Sequence, residues 1–428
     1  MRHLILVLAL LTGFAISGSA QLRGILNKAK NKAEQRIDKK VDNEIDKTFD
    51  KAEGKKTETE TKDKTIEPAA DKEAVAEEPA LKSYTKYDFI PGDSILYAED
   101  FQQEQVGELP ANWNTSGSGE VTTLDKYPGQ WLRLHKSFVY LSANQKEFGE
   151  NYTLEFDLIL QLKNNGWMYP EFRAGVFASG KESNTGNDFL KNNEKNAVVV
   201  ATIFPAEYKN TKARLNSNMG SKTYFFSDPK AYEPLEKNYG KPVHIAIQVQ
   251  KERFRMWING DKLFDAPKAV PMGHMMNQLF FEVAHTNYAE EQYGVFVSNI
   301  KIATGRPDTR HKLVDEGRFT TTGILFDFQS AVIKPESYGV VKEIASVLKE
   351  HATIKVKVLG HTSSDGDDKA NMELSKKRAA AVRELLITEF GIEEGRIETE
   401  GKGETQPIAD NKTREGKVAN RRVEFIKL

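Results

Sequence analysis

The 428-residue chain contains no cysteine, which excludes disulfides and lipidation at a cysteine and leaves its folded parts to depend on their own cores. Histidine is scarce as well. The eight present are scattered without metal-ligand spacing, so no metal site and no cofactor are expected. His361 lies in a Gly-, Ser- and Asp-rich loop with no nearby partner His, and His311 lies in a polar run, 305–312. A formal net charge of −1, with no concentrated basic patch on a folded part, argues against nucleic acid as a partner. Leu4 to Ile16 is an apolar run of only about a dozen residues, too short to cross a bilayer. It follows Arg2 and His3 and precedes the small residues Ser17-Gly18-Ser19-Ala20, so residues 1–20 read as a signal peptide and the protein as exported.

Residues 21–53 are highly charged but periodic. Leu22, Leu26, Ala29, Ala33, Ile37, Val41, Ile45, Phe49 and Ala52 recur at helical spacing, with Lys, Glu and Asp on the other faces. A stripe this narrow makes a marginal isolated helix. It suits pairing with another helix, lying on a membrane surface, or acting as a charged spacer. The absence of Trp and the acids interrupting its basic face favour a spacer or self-association. Residues 54–86 are dominated by Lys, Glu, Thr, Ala and Pro and cannot bury a core, so a disordered linker is expected there, providing reach.

From 87 to 304 the texture changes to short alternating runs broken by Gly, Pro and Asn. Trp131–Leu134, Tyr152–Leu162, Ala197–Phe204, Val243–Val249, Phe254–Ile258 and Val295–Ile302 read as strands, and Asn259-Gly260 as a two-residue hairpin turn. This is the pattern of an all-β sandwich. The strand Tyr152–Asp157, the hairpin at Trp257–Gly260 and the closing strand Val297–Ile302 resemble the concanavalin-like jelly rolls of laminin-G and glucanase type. The glucanase resemblance implies Glu, Asp and Glu along one strand; here Glu155 and Asp157 share a face, but the last place is Leu160. The acid/base pair is incomplete, and the two acids read as solvent-face residues of a non-enzyme. The alternative is an envelope glycan hydrolase that uses the sandwich. Trp113, Trp131, Trp167, Tyr169, Tyr224 and Trp257 are core candidates that also suit sugar stacking, so a glycan or an envelope protein is the expected partner of this module.

After a linker at 305–322, residues 323–428 read as alternating strands and helices, a sheet backed by helices. The half-buried strand Ile354–Leu359 ends in the loop Gly360-His361-Thr362-Ser363-Ser364-Asp365-Gly366, and a helix follows from about Asn371 to Phe390. The crossover through it should make the next strand, Arg396–Glu400, parallel to the first, placing the loop at a strand's carboxyl end, where such sheets bind ligands. One helix face carries Asn371, Leu374, Arg378, Ala381 and Leu385. A guanidinium on such a stripe either snorkels to water or meets an anion.

Gly360-His361-Thr362, Asn371, Leu374-Ser375, Arg378-Ala379, Asn411-Lys412-Thr413 and Asn420-Arg421-Arg422-Val423 together resemble the OmpA-like C-terminal domain, with Ile324–Phe328 as its opening strand and Ile333–Ser337 after it. The resemblance implies a multidomain protein, an all-β jelly-roll sandwich followed by an α/β two-layer OmpA-like domain of βαβαβ-β order. It implies location in the periplasm, associated with the outer membrane and cell wall, and non-covalent binding of peptidoglycan through the diaminopimelate of its stem peptide. Arg378 matches the family's carboxylate-binding Arg, and Thr362, Asn371 and Arg421 match other polar positions of that site. The family takes the ammonium with an Asp directly after Gly-His-Thr, where this chain has Ser363. A neutral hydroxyl does not supply that charge. Asp365 in the same loop is its expected source, ahead of Asp367 and Asp368. A further alternative is a scaffold of a larger outer-membrane or secretion assembly in which peptidoglycan binding is weakened.

Overall fold

A computed structural model describes residues 88–428, apart from 144–145, 192–194 and 306–307. The expected signal peptide, charged helix with its self-association, and linker at 54–86 lie outside the described residues.

Two antiparallel sheets of eight strands make the first part. One runs Asp261–Ala266, Arg253–Ile258, Pro242–Gln250, Asn151–Leu162, Tyr293–Thr304, Gln130–Leu134, Gly119–Thr123, with Ser94–Glu99 also paired to Tyr293–Thr304. The other runs Lys222–Phe226, Lys212–Met219, Val198–Phe204, Phe172–Phe177, Gln278–Val283, Phe138–Leu141, Asn114–Thr115, with Lys230–Ala231 on Lys212–Met219. Alternation dictates the core: Tyr152, Leu154, Phe156, Leu158 and Leu160 face inward from one strand. Phe156 meets Phe281 and Phe172 of the facing sheet at 5.1 and 6.2 Å between ring centroids. Asn259 and Gly260 take the two positive φ values, 46° and 85°, that join Ile258 to Asp261 in a tight hairpin.

The opposite face of the Asn151–Leu162 strand departs from expectation. Glu155 and Asp157 are not solvent-facing; they are 3% and 5% exposed. His244 lies between them, with Nδ1 2.8 Å from Asp157 and Nε2 3.5 Å from Glu155, and Lys301 Nζ is 2.9 Å from Glu155. Burial opposes ionisation of Glu155, but Lys301 and His244 outweigh it and hold its pKa below the usual range. The same contest, decided by His244, Lys334 and Asn299, holds Asp157 down. Trp113, Trp131 and Trp257 are buried and Tyr169 is partly buried, whereas Trp167 and Tyr224 are exposed.

The C-terminal domain is a four-stranded sheet with helices. We label its elements β1 (Arg318–Thr321), α1 (Tyr338–Glu350), β2 (Val356–His361), α2 (Asp368–Thr388), β3 (Ile397–Gly403), α3 (Arg414–Asn420) and β4 (Val423–Lys427). Sheet order is β1-β4-β2-β3, with β2 and β3 parallel and the other pairs antiparallel. Val356, Val358, Val423 and Phe425 pack with Val341, Ile344 and Leu348 of α1 and Ala379, Val382 and Leu386 of α2.

Ile324–Phe328 is not the opening strand. The sheet edge belongs to Arg318–Thr321, inside the expected linker, while Ile324–Phe328 contributes only a bridge from Phe326 to Ile333. Its backbone is satisfied locally: Ser337 Oγ accepts from Leu325 N at 2.8 Å, and Lys334 N donates to Leu325 O at 2.9 Å. Helix α2 buries Asn371, Ser375, Ala379, Val382 and Leu386, so its core line lies one position beyond the stripe expected and Arg378 sits on the flank. The two parts pack together through Phe89, which touches Trp257 at 5.3 Å between centroids and whose carbonyl passes so close to Gly339 of α1 that a Cβ there would come within 2.4 Å.

Candidate functional site

The site forms where β2 and β3 end and α2 begins. Two glycines set the approach of helix to sheet: a Cβ on Gly360 would stand 2.2 Å from the Ser375 carbonyl, and one on Gly401 would stand 2.5 Å from Lys376 N. Ser375 Oγ accepts from Gly403 N at 2.9 Å and donates to Met372 O at 2.7 Å, tying the β3 end to the first helical turns. Thr362 N donates to Gly403 O at 2.9 Å, which starts the loop after β2. Asp367 ends it, taking extended φ/ψ and accepting from Ala370 N at 2.9 Å, so it is the N-cap of α2 and not a free acid.

Within this frame the loop bends so that Ser363 Oγ donates to Asp365 Oδ2 at 2.9 Å. Lys417 Nζ sits 2.6 Å from Asp365, and Arg421 lies 3.7 Å away. Burial works against the Asp365 carboxylate, but Lys417, Ser363 and Arg421 hold its pKa below the usual range. Asn371 Nδ2 reaches Asp365 O at 3.1 Å and Glu404 Oε2 at 2.7 Å. Thr362 is 5% exposed, and its hydroxyl has no hydrogen-bond partner among the described residues. His361 is buried behind the loop; burial and Arg422 push its pKa down to about 4, so it stands neutral.

Arg378 donates from Nε to Ser330 O at 3.0 Å and lies 4.8 Å over the Phe326 ring. No carboxylate pairs with its guanidinium among the described residues. Burial and then Arg421 lower its pKa to about 10. Arg378 is thus a cation without a paired acid that feels a second cation, Arg421, a cost that an arriving carboxylate would relieve.

The structure therefore brings Ser363, Asp365, Asn371 and Arg421 into one network, with the Thr362 hydroxyl unpartnered at the start of the loop and Arg378 near enough to Arg421 to feel its charge. Asp368 stands in the first turn of α2. Lys417, Glu404, Asn411, Phe326 and the Ser330 carbonyl join them and were not anticipated. Asn411 accepts from Ser364 N at 3.3 Å. Lys417 had a readable signal, since it precedes Arg421 by four residues, one turn along the same face.

Residues 325–421 match the model described as the OmpA family. They are an OmpA family domain. Outer membrane porin F of Pseudomonas aeruginosa is 45% identical to it over 101 residues, 24% of this chain and 29% of that protein. The probable lipoprotein YiaD of Escherichia coli is 46% identical over 102 residues, 24% of this chain and 46% of that protein. A solved peptidoglycan-associated lipoprotein from Burkholderia pseudomallei aligns at 27% identity with a TM-score of 0.23, covering 24% of this chain and 88% of that one. The chain spans less than half the length of either of the two sequence relatives named here. Relatives of the OmpA family domain are outer membrane proteins and lipoproteins, in agreement with the cell-envelope location expected from the sequence.

Proposed function

We propose that this is a non-catalytic protein of the cell envelope that holds peptidoglycan through its OmpA family domain. The free carboxylate of a diaminopimelate stem peptide pairs with Arg378, assisted by Arg421. Its ammonium meets Asp365, which Ser363 orients, while Thr362 and Asn371 line the loop. The observation that carries this reading is Arg378: half-buried, stacked on Phe326 and without an acid of its own among the described residues. The OmpA family match supports it, as does the buried Thr362 hydroxyl, a group that normally finds a partner.

The sandwich, a concanavalin-like jelly roll in this reading, presents a second surface for a glycan or an envelope protein. Hydrolysis needs two carboxylates that reach a sugar. Glu155 and Asp157 are instead buried and paired to His244 and Lys301, which favours the non-catalytic reading. Co-sedimentation with purified sacculi tests the anchoring. Arg378→Ala should lower the bound fraction at least about ten-fold, the size expected for losing a charge-assisted pair. Equal binding by the two proteins refutes the assignment.

A further inference from the structure

The loop that lacks the family's Asp is not the only source of acid at this site. The residue after the Ser94–Glu99 strand of the sandwich, Asp100, places Oδ2 3.6 Å from Arg421 Nη2, while Asp365 lies 3.7 Å from Nη1. Neither contact is a hydrogen bond, so Arg421 is centred between two acids while its donors stay uncommitted. Asp100 is itself fixed, accepting from Gln102 N at 3.2 Å. Its neighbour Glu99 is fully buried and 2.9 Å from Arg414 Nη1, while Arg414 also pairs with Glu104. Glu415 Oε1 accepts from Ala98 N at 3.3 Å. Helix α3 is therefore docked on the sandwich by two consecutive positions, 98 and 99, and the next, Asp100, meets Arg421, the first residue beyond that helix.

We propose that the wall-ligand site is shared between the two parts of the protein, with Asp100 of the sandwich as the positioning residue for Arg421. This rests on the peptidoglycan reading above and deepens it. Asp365 is already engaged by Lys417 at 2.6 Å and stands 3.7 Å from Arg421, so it holds Arg421 only in part. Asp100 supplies the second acidic contact that holds Arg421 at the site, where a carboxylate meets it together with Arg378. The sandwich is thereby a part of the site and not a passenger on it, and the ligand's carboxylate is read by a pair of arginines whose spacing depends on the contact between the parts.

The test uses the full chain and calorimetric titration with meso-diaminopimelate. Asp100→Asn should weaken binding about two- to ten-fold, as expected for a half-exposed charge contact acting through one neighbour. Arg421→Gln should weaken it at least as much, and the double variant should bind no worse than Arg421→Gln alone. Asp100→Glu should recover most of the affinity, and the melting temperature of Asp100→Asn should match the wild type, which separates positioning from loss of fold. Pimelate, which has both carboxylates and neither ammonium, should feel Asp100→Asn as strongly as diaminopimelate does. Additive single effects, or an Asp100→Asn that binds like the wild type while Arg378→Ala does not bind, overturn the shared site and leave the anchoring reading intact. If Arg378→Ala also binds like the wild type, both fall.

Discussion

The charge cluster on the outer face of the sandwich gives a prediction whose size follows from the structure. His244 is 9% exposed and lies between Asp157 and Glu155. Burial alone would lower its pKa, but the two carboxylates overcome burial and raise it from 6.5 to about 9. That rise is a factor of about 300 in proton affinity, or ~3 kcal/mol. Because the folded value lies above the unfolded one, this stability is present in full below about pH 6.5 and is lost as pH rises through about 9. His244→Gln removes the cation and leaves two carboxylates facing Lys301, with Lys334 4.0 Å from Asp157. At pH 6 it should cost about 3 kcal/mol, within the range for breaking a buried pair. Urea unfolding can be followed by the fluorescence of Trp257 and Trp131, both in this sheet. Wild-type stability should decline between pH 6.5 and 9, while the variant should be nearly flat there, so the two curves converge toward pH 9.5. A variant with the wild-type slope, or one equally stable at pH 6, would show that His244 is not held charged between these acids.

Two further outcomes test the frame of the candidate site. Gly360→Ala places a methyl group 2.2 Å from the Ser375 carbonyl, so α2 must move off β2; a loss of about 1–3 kcal/mol is expected, and a change within ~0.5 kcal/mol in urea unfolding would contradict that close approach. Asp367→Ala removes the N-cap of α2 and should cost about 1 kcal/mol, with Asp367→Asn nearly neutral; faster amide exchange confined to Ala370 and its neighbours is the signature, and unchanged exchange there would refute the cap.

Much of the fold was legible because its signals are local. Alternation along 152–162, the Asn259-Gly260 turn and the turn formers that end the strand before α2 each depend on a few adjacent residues. The misreadings came where long-range contact decided the outcome. Glu155 and Asp157 alternate as a solvent-facing pair should, and only the partners brought by His244, Lys301 and Lys334 make their burial tolerable. Ile324–Phe328 has strand composition, but Arg318–Thr321 takes the edge of β4 and Ser337 caps the later segment instead. On α2, counting from the apolar residues put Arg378 at the centre of the buried face. The small residues Ser375 and Ala379 are what the sheet accepts, and they rotate that face by one position. At the site, Arg378, Asp365 and Arg421 could be picked out by motif, whereas Asp100 lies far earlier in the chain, in the other part of the protein, and has no motif.

The exchange of the family's Asp for Ser363 is best understood through the charge of its surroundings. Around the loop stand Arg378, Arg421 and Lys417 against Asp365, Glu404 and Asp100, three cations and three acids. An Asp at 363 would add a fourth acid beside Asp365, already joined to Ser363 by a 2.9 Å hydrogen bond, and two carboxylates at that range repel unless one takes a proton. Serine keeps the donor and leaves Asp365 with no second carboxylate beside it, hydrogen-bonded to Ser363 and flanked by Lys417 and Arg421. A zwitterionic amino-acid end is neutral with separated poles, so in the proposed binding it adds no net charge to the site. In the proposed binding of a wall peptide, the exchange moves the acid that meets the ligand's ammonium from position 363 to Asp365.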